Sequence, residues 1–146
     1  MLQYHFRWKT LPMMAGITWW NFYFKLFPGS IKAPQIIEFL QHLQRHLRRR
    51  LLVIWDGLPG HRSIAVRDFV ASQGERLTLE FLPGYAPELN PDEGVWKLAK
   101  HALANGCPMS IADLKPSLAR VLHSIRKSPK NLRGCINHSG LPSFLR

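Results

Sequence analysis

Hydrophobic positions along the first half of the chain form strand-like runs separated by one helical repeat. Aromatic and β-branched residues dominate positions 13–20 and 22–27, which predicts two strands joined by a tight turn at Trp20-Asn21. Apolar residues then recur at helical spacing over positions 33–49, which predicts an amphipathic helix. Positions 51–55 are apolar without alternation, which predicts an interior strand covered on both faces.

The second half continues with alternating helix and strand patterns. The spacing predicts a helix over 62–72, a strand over 77–81, a helix over 91–104 and a helix over 113–127. Pro116 argues against a start of the last helix much before Asp113, because an interior proline costs about 3 kcal/mol. Signals after Pro129 are weak. The order of elements predicts an α/β fold, in which helices pack on a mixed sheet.

Charge is distributed unevenly along the 146 residues, which are enough for one domain with a hydrophobic core. The net charge is +11, made up of +7 over residues 1–50, −4 over 51–96 and +8 over 97–146. Carboxylates therefore concentrate in a central segment between basic flanks. This pattern favours a metal-dependent enzyme that acts on a polyanion, and a pI near 10.4 favours nucleic acid as that polyanion. The alternative is that the basic surface serves only solubility.

Cysteine content and hydropathy indicate the compartment. The two cysteines, Cys107 and Cys135, form no CxxC motif, which suggests a reducing compartment without a disulfide framework. The N-terminus lacks the apolar core of a signal peptide, and apolar stretches of about six residues are too short to span a bilayer. We therefore expect a cytoplasmic, nucleoid-associated protein without membrane partners.

Asp56 follows the predicted strand at 51–55 and precedes Gly57. Ligand-binding residues in open α/β sheets gather at the carboxyl ends of strands, so Asp56 is a candidate metal ligand. Asp-Gly is also a common turn dipeptide, and from spacing alone the two interpretations are nearly even.

Glu93 lies at the end of a loop in which Pro83, Pro87 and Pro91 recur every four residues. Proline restricts the chain, and a pre-organised loop suits a metal ligand. Glu93 also fits a structural role, because Asn90 is a good helix N-cap and Glu93 would occupy the third helical position of a capping box. Two neighbouring acids compete with it for either role, namely Glu88 and Asp92.

Three further residues are candidates for substrate binding. His61 could bind a phosphate or orient a water, or it could be a helix-entry histidine bonded to the backbone. Lys97 and Lys100 could line a DNA-binding face or simply be solvated. Cys135 and His138 have metal-like spacing, but a structural zinc site needs four ligands, so zinc is disfavoured.

The run 56–61, DGLPGH, followed by 82–97, LPGYAPELNPDEGVWK, resembles DDE transposases of bacterial insertion sequences in the mariner-like superfamily. The second motif matches at over a dozen positions, and the 36 residues between Asp56 and Glu93 suit this family. The resemblance implies a ribonuclease-H-like fold and a two-metal mechanism with Mg²⁺ or Mn²⁺. Asp56 would be the second catalytic acid and metal ligand, and Glu93 the third. His61 matches a histidine often present in the first motif, whereas Gly57 replaces a common asparagine.

The N-terminal part departs from the family pattern. Family members carry a helix-turn-helix region and then a central strand with the first catalytic Asp, whereas no acid precedes Glu38 in this chain. We therefore expect a ribonuclease-H-like mixed sheet that lacks its first, central strand, in a single truncated catalytic domain over residues 1–146. Residues 2–8 could partly cover the resulting gap.

The resemblance implies DNA transposition by strand cleavage and strand transfer at transposon ends. Because the first Asp is missing, we expect no cleavage by the chain alone. Expected partners are transposon-end DNA, an upstream polypeptide that supplies the first Asp and the helix-turn-helix, and a second copy in a homodimer. The alternatives are a non-catalytic basic nucleic-acid-binding remnant, an unrelated ribonuclease-H-like nuclease and an unfolded gene remnant.

Overall fold

Short strands and longer helices alternate along the computed structural model, which describes residues 12–84, 86–106 and 111–142. The elements are β1 (Met13–Ile17), β2 (Phe22–Leu26), α1 (Ala33–His46), β3 (Leu51–Trp55), α2 (Ile64–Ser72), β4 (Leu77–Phe81), α3 (Asp92–Gly106), α4 (Ile111–Arg126) and α5 (Pro129–Asn137). The predicted strands β3 and β4 have the predicted bounds, and the other predicted elements are present with shifted ends. Residues 2–8, Tyr85 and Cys107 lie outside the described ranges.

The chain divides into two compact units. One comprises Pro12–Met14 and Phe24–Pro87, and the other includes Ala15–Tyr23 and the described residues from Glu88 onward. Asp56 therefore belongs to the first unit and Glu93 to the second. The expectation of one domain over residues 1–146 stays a prediction.

The core of the first unit lies on one face of the parallel pair β3–β4. Leu51 pairs with Leu77 and Trp55 with Phe81. The buried cluster on this face draws residues from α1, β3, α2 and β4, namely Ile36, Leu40, Trp55, Val66 and Leu77. On the other face Leu52 is 54% exposed, so the prediction that both faces are covered is wrong.

The helix α2 begins two residues later than its apolar pattern predicts. Ser63 is its N-cap, and the Ser63 hydroxyl accepts a hydrogen bond from the Val66 N–H at 3.4 Å. The preceding residues Pro59–Arg62 form a separate 3₁₀ turn. Because a serine cap satisfies N–H groups that the first helical turn leaves open, the helix begins after Ser63 rather than at Arg62.

Three helices form most of the second unit. Their buried residues include Val95 and Ala99 on α3, Leu118 and Leu122 on α4, and Leu132 on α5. The helix α4 begins at Ile111, two residues before the predicted start at Asp113, and it contains Pro116. Burial of an apolar face outweighs the local cost of the proline.

The helix α5 was not predicted, because the tail after Pro129 showed weak signals. Its start nevertheless follows ordinary rules, with Ser128 as N-cap accepting a hydrogen bond from the Asn131 N–H at 3.4 Å and Pro129 in the first turn. Leu132, Cys135 and Ile136 form its buried face.

The strands of the described ranges form two separate sheets, β1 with β2 and β3 with β4. In these ranges no strand joins the two sheets. Helices flank these small sheets, so the α/β class predicted from the order of elements is confirmed.

Candidate active site

The carboxyl ends of β3 and β4 lie side by side and present Asp56. Pairing extends one step beyond the strands, because the Leu82 N–H donates to the Trp55 carbonyl at 2.7 Å. Asp56 follows this fixed carbonyl, so its backbone is anchored by the sheet. Its side chain is 47% exposed, which leaves the carboxylate accessible from solvent.

One oxygen of the Asp56 carboxylate is held by local contacts. The Leu58 N–H lies 3.4 Å from Oδ1, and Nδ1 of His61 lies 2.8 Å from the same oxygen. Within the described part of the chain, Oδ2 has no such partner. Asp56 therefore shapes a turn, as its sequence context allowed, and still leaves one oxygen open for a ligand.

His61 is placed against Asp56 by the 3₁₀ turn, in which the His61 N–H donates to the Leu58 carbonyl at 2.9 Å. Nδ1 also lies 2.9 Å from the Asp56 carbonyl, so both oxygens near Nδ1 are acceptors and Nδ1 carries the proton. The ring stacks on Trp55 with 4.2 Å between centroids and an interplanar angle of 1°. In the neutral ring Nε2 then carries the lone pair and can accept a hydrogen bond.

Arg62 lies beside the same turn and was not among the residues singled out from the sequence. Its guanidinium is 4.9 Å from the ring centre of Phe81, within cation–π range. A Cβ on Gly57 would fall 2.6 Å from one of its terminal nitrogens. Because Gly57 has no Cβ, it leaves room for the Arg62 guanidinium beside the residue that follows Asp56. The sequence feature that could have indicated Arg62 as a site residue is its position directly after His61.

Glu93 lies in the first turn of α3, as predicted. The Asp92 N–H donates to the Asn90 side-chain oxygen at 3.1 Å, and the Glu93 N–H donates to the Asn90 carbonyl at 3.1 Å. Asn90 therefore caps the helix as its sequence position indicated. The reciprocal bond of a capping box is absent, since in the described ranges the half-buried Glu93 carboxylate has no hydrogen-bond or ion-pair partner.

Residues from the C-terminal part of the chain hold the loop that leads to Glu93. The Gly140 N–H donates to the Glu88 carbonyl at 2.9 Å, and the Leu89 side chain fills the space that a Cβ on Gly140 would need. In α3, a Cβ on Gly94 would lie 3.0 Å from both Cβ and Sγ of Cys135. The backbone on either side of Glu93 is thus fixed by α5 and the residues after it.

Cys135 is buried at this contact, and burial raises the pKa of its thiol, with the Asp92 carboxylate raising it further. A protonated buried thiol packs as a small apolar group rather than as a thiolate ligand. His138 is exposed, and its Nδ1 lies 2.7 Å from the Gly134 carbonyl.

Lys97 and Lys100 are exposed on α3, four and seven residues after Glu93. At helical spacing these three residues share one face. The structure thus brings Asp56 together with His61, and places Glu93 in line with the two lysines. In the described ranges no group of three or more His, Cys, Asp or Glu side chains is arranged to hold a metal ion.

Comparison with known protein families assigns the chain to one family. The family described as DDE superfamily endonuclease matches residues 2–115, a span that includes both Asp56 and Glu93. The chain belongs to this family. None of the curated proteins matches it. The DDE resemblance inferred from the two motifs is therefore confirmed at the level of the family.

Solved structures confirm the ribonuclease-H-like fold of this DDE family member. The Mos1 strand transfer complex is 23% identical with a TM-score of 0.61, over 89% of this chain and 43% of that chain. The Mos1 transposase catalytic domain with Raltegravir and Mn is 21% identical with a TM-score of 0.61, over 89% and 76% of the two chains. This chain therefore spans less than half the length of the transposase in the strand transfer complex.

One further observation concerns membranes. In the described ranges, no helix combines the length and the apolar character that a bilayer-spanning segment requires.

Proposed function

We propose that this chain provides two of the acids, Asp56 and Glu93, of a metal-dependent centre that cleaves and joins DNA strands during transposition. The observation that carries the proposal is the Asp56 carboxylate. It stands at the carboxyl end of β3, with one oxygen fixed by His61 and the other open, in a member of the DDE superfamily endonucleases. A fixed and accessible carboxylate is what a catalytic cation needs from the protein.

The donor atoms suit Mg²⁺ or Mn²⁺. Both cations prefer carboxylate oxygens, and Mg²⁺ is commonly held by one or two carboxylates together with substrate phosphates and water. Asp56 keeps one carboxylate oxygen without a hydrogen-bond partner, and the Glu93 carboxylate has no hydrogen-bond or ion-pair partner in the described residues. Two bound cations would activate the attacking water or 3′-hydroxyl and stabilise the leaving oxygen.

The residues around the two acids have separate tasks. His61 fixes the Asp56 oxygen through Nδ1 and offers Nε2 as a hydrogen-bond acceptor to a water. Arg62 places a positive charge beside Asp56, where it can contact a DNA phosphate. Lys97 and Lys100 offer further phosphate contacts along the face of α3 that carries Glu93.

No residue before Glu38 in the sequence is an acid that could serve as the first of the set. The earliest acid in the chain is Glu38, which lies on α1 and forms an ion pair with Lys25. We therefore propose that the chain does not cleave DNA alone, and that an upstream polypeptide supplies the first Asp together with a helix-turn-helix. Transposon-end DNA and a second copy of the complete catalytic unit would be the remaining partners. Such a protein would act in the cytoplasm at the nucleoid.

Reconstitution tests this function. The purified chain, with and without the upstream polypeptide, is incubated with labelled terminal-repeat DNA and Mg²⁺ or Mn²⁺. We expect cleavage only in the mixture, and a loss of at least about 100-fold for Asp56→Asn or Glu93→Gln, since each removes a charge that stabilises the transition state. Robust cleavage by the chain alone would sink the split arrangement, and normal rates in both variants would reject the site.

Matched acids provide the controls. Asp68→Asn changes an exposed aspartate of α2, and Glu88→Gln changes an exposed glutamate of the loop that leads to Glu93. Neither should lower cleavage by more than about 2-fold, since surface substitutions away from a site have small effects. Binding of Mn²⁺, followed by electron paramagnetic resonance, should weaken in Asp56→Asn and stay unchanged in Asp68→Asn.

A second candidate is a non-catalytic nucleic-acid-binding protein. Seven Lys and Arg residues and no acid follow Asp113, which favours a polyanion as partner whether or not cleavage occurs. Salt-dependent DNA binding that survives Asp56→Ala, with no metal-dependent cleavage in the reconstituted mixture, would support this candidate over the first.

A further inference from the structure

The turn between β1 and β2 presents a tryptophan to solvent on a rigid backbone. The side chain of Trp20 is 71% exposed, although large aromatic side chains are usually buried. The Thr18 hydroxyl accepts hydrogen bonds from the N–H groups of Trp20 at 3.3 Å and Asn21 at 2.9 Å. Asn21 in turn accepts from the Phe22 N–H at 2.8 Å. The backbone of the turn is therefore fixed while the indole stays open.

Arg133 of α5 covers part of this indole. Its guanidinium carbon lies 4.4 Å from the Trp20 ring centre, a cation–π distance. In the described ranges no carboxylate pairs with Arg133. A guanidinium can cover only one face of an indole, and most of the Trp20 surface remains accessible. The pair thus offers an aromatic surface beside an uncompensated positive charge.

The surroundings of Arg133 are positively charged. Lys130 lies one turn earlier on α5 and is exposed, whereas Leu132, Cys135 and Ile136 form the buried face. Lys127 is exposed just before the helix. No acid follows Asp113 in the sequence. An approaching polyanion therefore meets several cations and no repulsive charge from this part of the chain.

We propose that Trp20 and Arg133 form a binding site for an unpaired nucleotide of single-stranded DNA. The base stacks on the indole, and Arg133 with Lys130 contacts the flanking phosphates. An aromatic ring with neighbouring cations is the combination by which proteins bind single strands, because every base has a stacking face and every nucleotide carries a phosphate. The site uses neither Asp56 nor Glu93. The binding proposal can therefore be disproved while the proposed cleavage function holds, and the cleavage function can be disproved while the binding proposal holds.

Binding of a labelled oligothymidylate tests this proposal, measured by fluorescence anisotropy with EDTA present and at several salt concentrations. Trp20→Leu should weaken binding by about 5- to 150-fold, as loss of one stacked base predicts. Trp20→Phe should retain most of the affinity. Arg133→Gln should weaken binding and reduce the slope of log K against log salt by about 0.7, the value for one phosphate contact on a single strand.

Three comparisons separate stacking from general attraction. Ile64→Ala alters an equally exposed apolar residue, 73% exposed, and Arg67→Gln removes an exposed arginine from α2, so both should bind like the unaltered chain. An oligonucleotide with abasic sites should bind the unaltered chain about as weakly as oligothymidylate binds Trp20→Leu. Equal binding of oligothymidylate by Trp20→Leu and Ile64→Ala overturns the proposal. An affinity of the unaltered chain for the abasic strand equal to its affinity for oligothymidylate also overturns the proposal. This comparison uses no variant, so it does not depend on whether a variant folds.

Discussion

Asp56 and Glu93 are placed by different kinds of contact. Asp56 is fixed by residues close to it in sequence, because Leu58 and His61 bond its carboxylate and Trp55 stacks on the histidine. Glu93 is positioned through its backbone, by the Asn90 cap and by contacts from residues more than 40 positions later in the sequence. The Asp56 side chain is thus held by local contacts, whereas the position of Glu93 depends on the tertiary packing of α3 against α5.

The largest expected effect comes from the loss of Trp55, on which the His61 ring stacks. Trp55→Ala should lower the free energy of unfolding by about 3–5 kcal/mol, because Trp55 is a member of the buried cluster and a cavity would remain. The measurement is urea denaturation followed by circular dichroism. Trp20→Ala is the matched control and should cost less than about 1 kcal/mol, since that ring is exposed and loses only a cation–π contact. Similar losses of unfolding free energy in both variants would show that Trp55 contributes no more to the contacts around Asp56 than an exposed tryptophan would.

The next effect tests the long-range support of Glu93. Gly94→Ala would place a Cβ 3.3 Å from the Cys135 backbone and 3.0 Å from its side chain, so Cys135 on α5 must move by a few tenths of an ångström. We expect a loss of about 1–3 kcal/mol in the same denaturation experiment, typical of an overpacked contact. Gly134→Ala on α5 is the control, because nothing lies within 4 Å of its Cβ. It should stabilise the protein by about 0.5–1 kcal/mol. A stabilising Gly94→Ala would contradict the close packing.

A smaller effect is expected from loss of the Asn90 helix cap, three residues before Glu93. Asn90→Ala removes the side-chain oxygen that accepts from the Asp92 N–H and should cost about 1 kcal/mol. Hydrogen exchange should show faster exchange of the first amides of α3 and little change in β3. Asn131→Ala replaces an exposed asparagine inside α5 and should cost nothing. Faster exchange at β3 as well would mean that the two acids do not depend on separate contacts.

The smallest expected effect is a dependence of stability on pH that arises from His42 and Cys135. Burial lowers the pKa of His42 below its ordinary 6.5, and the neighbouring charges of His46, Lys25 and Arg45 lower it further. The unfolded chain therefore binds the proton first, so stability falls as pH drops through about 6.5. The opposite holds for Cys135, whose pKa is raised above 9.0, so stability falls as pH rises past that value.

Two substitutions check this pH dependence by thermal unfolding across the pH range. His42→Gln should flatten the acid side, and Cys135→Ala should flatten the alkaline side while lowering stability at all pH values, because it also removes buried volume. Unchanged acid-side slopes in His42→Gln would assign the acid dependence to other groups.

The two acids also differ in how well they could be predicted. The apolar run before Asp56 gave the bounds of β3 correctly, and the Asn90 cap followed from residue type alone, since each depends on neighbouring residues. The stacking of His61 on Trp55 was not predictable from spacing, because it requires the 3₁₀ turn at Pro59–Arg62 that delays α2. Arg62 was overlooked for the same reason. The contact of Gly94 with Cys135 joins residues far apart in sequence, and no local pattern indicates it.

The sequence by itself determined the family, the nature of the candidate acids and most helices and strands, because motifs, caps and apolar periodicity are local properties of the chain. Only the tertiary structure decided how those acids are held. It showed that one Asp56 oxygen is already bound, that one face of β3–β4 is exposed at Leu52, and that the weakly patterned tail forms α5 and supports the Glu93 loop. These features depend on which distant side chains fill a shared space, and that is settled by packing rather than by any single segment.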